Sequence, residues 1–193
     1  MRGSWGSSQP YDVPAEGYEE LYGLEQEEKY VEVFRKVKLN DEERLLDVGC
    51  GILLLLKFLR RMGFRGLYVG LDIDEERLKY GKRFMDSMSD IVVADAHKPP
   101  FRPQAFHISM IITVIHLLGL DALREIRHKT KVIMVTTLLK KRRDLRKNLE
   151  AELTRIGKTL SLSSKARDDI YITIIHEDDN SKPALVERRL RII

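Results

Sequence analysis

The sequence predicts a layered α/β fold built on a mostly parallel sheet, and three observations predict it. The apolar run Leu45, Leu46 and Val48 passes directly into the glycine turn Gly49-Cys50-Gly51 and then into an amphipathic stretch over 52–62, which is the order strand, tight turn, helix. Two more β-favouring runs, 67–71 and 91–94, each stop at an aspartate, Asp72 and Asp95. A helical pattern over 74–85 lies between those runs, and strands that alternate with helical stretches imply parallel crossovers. Carboxylates at the carboxyl ends of successive parallel strands stand where open α/β sheets bind ligands.

The elements follow in chain order. Residues 1–10 are rich in Gly and Ser and are expected to form a flexible tail. Residues 11–193 are expected to form one domain, since a chain of 193 residues suits a single α/β core. Its first segment, 11–40, reads as a helical cap: Tyr11, Tyr18 and Tyr22 stand among glutamates, and 25–39 carries Tyr30, Val31, Phe34, Val37 and Leu39 at helical spacing. The helix over 52–62 is closed by Gly63, a glycine C-cap. Asp74, Glu75 and Glu76 sit at the positive end of the next helix and read as helix-start residues. Prolines 99, 100 and 103 keep the following loop out of regular structure. A fourth strand is expected over 108–115, a short helix over 120–127 and a fifth strand over 132–137. A helix over 140–156 follows, with Leu145, Leu149, Leu153 and Ile156 on one face. Lys140, Lys141, Arg142, Arg143, Arg146 and Lys147 crowd its first turns, where positive charge opposes the helix dipole. The cluster is either a solvated face or an invitation to an anionic partner. The tail 180–193 reads as a final strand or a partner-binding extension.

Composition narrows the function classes. A formal charge of +4 and a pI near 9.1 permit nucleic acid without requiring it. One cysteine excludes a disulfide within the chain and, with 33% charged residues, fits a cytoplasmic protein. The amino terminus is polar, unlike a secretory signal. The longest apolar stretch, 108–120, is too short to span a bilayer and carries His116, so no membrane role is expected. Cys and His residues show no metal-ligand spacing, and no metal is expected.

The wording Leu46-Asp47-Val48-Gly49-Cys50-Gly51, Val69-Gly70-Leu71-Asp72-Ile73-Asp74, Ala94-Asp95-Ala96 and Pro100-Phe101 before Phe106 resembles the class I S-adenosylmethionine-dependent methyltransferases over roughly 11–175. That resemblance implies a Rossmann-like three-layer α/β/α sandwich, with a seven-stranded, mostly parallel sheet and a closing antiparallel strand. Strands over 160–164 and 170–175 would supply the closing pair. It implies S-adenosyl-L-methionine as cofactor. Gly49, Cys50 and Gly51 would pass under its methionine part, with Asp47 near the ammonium. Asp72 would hold the ribose hydroxyls and Ile73 neighbour the adenine ring, while Asp95 with Ala96 would bind the adenine amine. Thr113 would lie on the cofactor side of the fourth strand's end. The segment with Tyr11, Tyr18 and Tyr22 resembles the part that folds over the cofactor and forms the acceptor pocket. His116 is the candidate general base or acceptor-orienting group, because a neutral imidazole takes a proton near pH 7. Its plain alternative is a partly buried histidine bonded to backbone.

Aspartates suit a ligand with an ammonium, a ribose diol and an adenine amine, none of which needs a phosphate-cradling loop. Two departures from the family pattern stand out. Leu53 occupies the place of a further glycine, where it either crowds the methionine end or points into the sheet, and His107 replaces the usual aspartate. No Asn/Asp-Pro-Pro-Tyr/Phe follows the fourth strand, and Cys50 lies inside the turn. Amine methylation of bases by that motif and attack by a cysteine nucleophile are therefore disfavoured. An oxygen or nitrogen acceptor on RNA, a small molecule or a protein remains, RNA being favoured by the basic helix. A nicotinamide-dependent oxidoreductase fits less well, since the third glycine it needs is Leu54 and Asp47 would meet a pyrophosphate. The other alternative is a catalytically inactive binding or scaffold protein that keeps the fold.

Overall fold

The computed structural model describes residues 13–137, 143–162, 169–175 and 191–192. The tail 1–10, Tyr11, the basic residues 140–142 and most of 180–193 lie outside the described residues.

Helix α1 (Ala15–Lys36) opens at Pro14, whose carbonyl accepts the Gly17 and Tyr18 amides at 3.1 Å each. It is one continuous helix within the segment 11–40 read as a helical cap, and it ends before Val37 and Leu39. It runs into β1 (Val37–Lys38), which pairs antiparallel with β9 (Arg191–Ile192) near the chain's end. The central strand β2 (Arg44–Val48) follows, then the glycine turn and α2 (Leu54–Arg61). Gly63, at φ +90°, ends α2: the Phe64 amide donates to the Leu59 carbonyl at 3.0 Å and the Gly63 amide to Arg60 at 3.1 Å. Those two bonds are the pattern by which a left-handed residue satisfies a helix's last carbonyls.

Strand β3 (Leu67–Asp72) leads to α3 (Glu75–Gly81), capped by the Asp74 carboxylate, which accepts the Arg77 amide at 3.1 Å. Next come β4 (Ser89–Val93), β5 (Ile108–Ile112) and α4 (Ile115–Ile126). The fourth sequence strand thus stops three residues early. Thr113, at φ +63°, breaks the extended run, and the chain turns into a helix that is itself kinked at Gly119. The last elements are β6 (Val132–Thr137), α5 (Arg143–Ile156), β7 (Gly157–Leu162) and β8 (Asp169–Ile175). Gly157 begins a strand instead of merely capping the helix. A Cβ there would lie 2.1 Å from the Ile174 carbonyl oxygen of β8, so only glycine fits.

The sheet has the order β4-β3-β2-β5-β6-β8-β7. Strands β2 to β6 are parallel, and β8 runs antiparallel between β6 and β7. The pleat of β2 sorts its leucines: Leu45 joins the core under α1 and α2, and Leu46 joins the core under α4 and α5. Burying each is worth about 1.5–3 kcal/mol. Successive crossovers leave β2 in opposite directions, to β3 on one side and β5 on the other, so the strand order reverses between β2 and β5. In open α/β sheets the ligand crevice forms outside the carboxyl ends of the strands at such a point.

Candidate functional site

The carboxyl end of β2 enters a turn with two left-handed glycines, Gly49 at φ +73° and Gly51 at φ +52°. The Gly49 and Cys50 amides both donate to the Leu71 carbonyl of β3, at 2.7 and 3.3 Å. A side chain at residue 49 would strike Val114, with a Cβ only 2.8 Å from its Cγ2. At residue 51 the reason differs. A Cβ would meet no protein atom within 4 Å and would project into the open space beside the turn.

That space is a cavity of about 480 Å³ at the switch point. Its floor is Asp47, the 49–51 turn and Asp72 from β2 and β3, one wall is 112–114 with His116 and Leu117, and the other wall is α1. Asp72 latches the turn: the Gly51 amide donates to its Oδ2 at 2.7 Å and the Asp74 amide to its Oδ1 at 2.9 Å. A carboxylate has about four acceptor sites, so these two bonds leave it able to meet a ligand's hydroxyls. Burial nevertheless raises the Asp72 pKa, the two amides opposing that shift. Asp47 is more enclosed. The Tyr68 hydroxyl donates to its Oδ2 at 2.5 Å, and burial lifts its pKa to about 7 against the lowering effect of that bond. A carboxyl held so far above its ordinary range is a place where a cation would be welcome.

Of the residues singled out from sequence, Asp47, Gly49, Cys50, Gly51, Asp72, Thr113, His116, Tyr18 and Tyr22 meet in this one cavity. His116 sits in the first turn of α4, not at a strand end, because β5 stops at Ile112. The Tyr18 and Tyr22 rings meet at a tilt of 46° with centroids 5.0 Å apart, and the Arg77 guanidinium lies 4.9 Å over the Tyr18 ring. Ile73, Asp95 and Ala96 do not line the cavity. Ile73 is exposed beyond it, and Ala96 is buried in the core under α4. Asp95 Oδ1 accepts the His97 amide at 2.9 Å and lies 2.7 Å from His97 Nδ1, contacts that hold its pKa down.

Both departures noted in the sequence have structural explanations. Leu53 is fully buried, at φ +63°, and does not line the cavity. Its side chain fills the hollow left by two other glycines, since a Cβ at Gly81 would lie 2.7 Å from Leu53 Cγ and one at Gly70 3.0 Å from its Cδ2. His107 works at the opposite end of the sheet. Its amide donates to the Arg44 carbonyl at 2.9 Å, and its Nδ1 accepts the Arg44 amide at 3.2 Å, which sets the start of β2.

Sequence reasoning missed Glu25, Gln26, Lys29 and Arg77, which also line the cavity. The available signal was the spacing 18, 22, 25–26, 29, which puts polar residues on a single helical face. Glu19 ties that helix to the domain, with Lys57 and Arg83 each 2.6 Å away, and Glu27 pairs with Arg61. Among the described residues no group of three or more His, Cys, Asp or Glu is placed to hold a metal. No described helix is long and apolar enough to cross a membrane.

Comparison with known proteins places this geometry. Residues 46–132, from the end of β2 to the start of β6, match the family model described as a methyltransferase domain. An uncharacterised protein of Methanocaldococcus jannaschii is 31% identical over 136 residues, covering 67% of this chain and 49% of that protein. A probable fatty acid methyltransferase of Mycobacterium tuberculosis is 35% identical over 68 residues, covering 34% of this chain and 16% of that one. The chain therefore spans half or less of the length of these curated relatives. Among solved structures, a SAM-dependent methyltransferase from Aquifex aeolicus superposes with a TM-score of 0.64 at 18% identity, covering 85% of this chain and all of that one.

Proposed function

We propose that this chain, whose residues 46–132 match a methyltransferase-domain model and whose fold superposes on that of a SAM-dependent methyltransferase, binds S-adenosyl-L-methionine in the cavity at the β2/β5 switch point and transfers its methyl group to an oxygen or nitrogen acceptor. The observation that carries this reading is the joined pair of Gly51 and Asp72: a glycine whose missing side chain leaves room beside the turn, latched by a carboxylate at the end of the next strand.

The donor set suits the cofactor. Asp72 offers acceptors to a diol, and Asp47 offers a buried carboxyl to an ammonium. When bound, the cofactor supplies a methyl group on a sulfonium, which leaves as a neutral thioether under in-line attack. The chain's own task is then to align the two partners and exclude water. Lying over the turn, α1 does the excluding, and His116 on the facing wall is the group that takes the acceptor's proton. Asp95 and Ile73, outside the cavity wall, belong to this reading as contacts of the adenine end. A cytoplasmic location is part of it too, supported by the single cysteine and high charge. RNA is the favoured acceptor on the strength of the basic run at 140–147, with a small molecule as the other reading.

Calorimetric titration tests it, using S-adenosylmethionine and S-adenosylhomocysteine with NAD as control. Micromolar binding of both adenosyl ligands is expected, weakened about tenfold or more by Asp72→Ala through loss of charge-assisted hydrogen bonds. Failure of wild type to bind either ligand would leave a scaffold that keeps the fold without the chemistry.

A further inference from the structure

Helix α1 carries a protruding side chain next to a missing one. Leu24 is 82% exposed, more than any other large apolar side chain among the described residues. Beside it, Gly23 sits in the middle of the helix, where glycine is less favourable than alanine. Among the described residues, the nearest atom that a Cβ there would meet is Glu19 Cγ at 3.6 Å, an ordinary contact, so packing within the chain does not call for glycine. Gly23 and Leu24 border a groove of about 180 Å³ on the α2 side of the helix. Its floor is the buried side chains Tyr30, Leu54 and Phe58, and Lys57 and Arg61 of α2, each about half exposed, stand on its rim. A cavity of roughly 150 Å³ holds a benzene-sized group, so the groove has room for one apolar side chain.

A knob and a hole side by side on one surface are what a two-fold contact between identical chains needs, because each copy must offer both halves. The charges are complementary as well. Glu20 and Glu28, both exposed, flank Leu24 at i−4 and i+4 on the same helical face, and the α2 rim of the groove presents Lys57 and Arg61. Each of these cations meets one carboxylate of its own chain, Glu19 or Glu27, and the several N–H groups of a lysine or an arginine leave donors for another. We propose that this face of α1 and α2 is a self-association surface: two copies pack about a two-fold axis beside residues 23 and 24, and Leu24 of each fills the groove that Gly23 leaves open in the other. The contact is small, one knob and one hole per copy, so the dimer is weak, with a dissociation constant on the order of 10 µM. It stands independently of the cofactor reading.

Sedimentation equilibrium of the full chain tests the surface, with wild type expected to pass from monomer toward dimer between about 1 and about 200 µM. Leu24→Glu should stay monomeric throughout with an unchanged circular dichroism spectrum, because a side chain 82% exposed supports little packing inside the chain. Gly23→Ala separates association from structure. It should weaken the dimer about tenfold or more by narrowing the groove, while raising the thermal midpoint of the dilute monomer, since alanine favours the helix. A wild type that is still monomeric at about 200 µM would overturn the assignment and leave the groove to a different protein. So would a dimer that neither variant weakens, which would put the two-fold contact elsewhere on the chain.

Discussion

At Asp47 the folded protein keeps a proton that the unfolded chain gives up near pH 4. Its folded pKa of about 7 lies above the ordinary 3.8, burial being the main cause and Asp72 adding to it. The folded state therefore binds more protons than the unfolded state between those values. The stabilising contribution is full below pH 4 and is lost as pH rises toward 7, a span worth on the order of 4 kcal/mol. Urea unfolding at pH 5 and pH 8 should show the ligand-free protein losing stability at the higher pH. Asp47→Asn, which keeps an acceptor for Tyr68, should flatten that loss, and an unchanged slope would place the titration elsewhere. An ammonium beside Asp47 reverses the preference, so cofactor binding near pH 6–7 should release a proton. The place of Asp47 on the cavity floor was legible because it sits within four residues of the glycine turn. The contact between Lys29 and Thr113 was not, because 84 positions separate them and the helical spacing that gathers the polar face of α1 carries no sign of the strand end it meets.

The turn between β2 and α2 shows how an element absorbs an unexpected residue. Leu53 adopts a left-handed backbone that costs a leucine about 1–2 kcal/mol, yet its buried side chain fills the hollow beside Gly70 and Gly81. Leu53→Gly would relieve the backbone and empty the hollow, and deletion of a buried leucine costs about 2–5 kcal/mol. The variant should therefore be less stable by about 1–3 kcal/mol in chemical denaturation, although it restores the family's glycine. Greater stability would mean that relief of the backbone dominates. Elements written in local chemistry were legible: β2 from its apolar run, the end of α2 from Gly63, the start of α3 from Asp74. The boundary between β5 and α4 was not. Residues 108–118 are apolar almost throughout, and a run buried on all sides has no period by which strand and helix differ. Only the left-handed Thr113 divides them.

On the scale of the whole molecule, the five parallel strands and the glycine turn follow from sequence, while the seat of β8 between β6 and β7 does not, since strand order leaves no mark on composition. Charge is also a property of the whole. A chain with a formal charge of +4 has a weak general pull on polyanions, so an RNA acceptor would have to be drawn by the basic run at 140–147. Reversing Lys140, Lys141, Arg146 and Lys147 to glutamate should lower RNA affinity and flatten its dependence on salt, the log–log slope falling by about one for each phosphate that is no longer neutralised. Retained binding with an unchanged slope would turn attention to a small acceptor. The inserted strand also bears on how the chain is made. On the ribosome β7 emerges before β8, yet its place in the sheet exists only once β8 has paired with β6. Until then the growing chain carries a β6 edge that is open on the side β8 will take, the kind of edge that recruits other strands. The interval between residues 137 and 175 is thus the stretch of synthesis over which this fold depends most on a crowded cell leaving it alone.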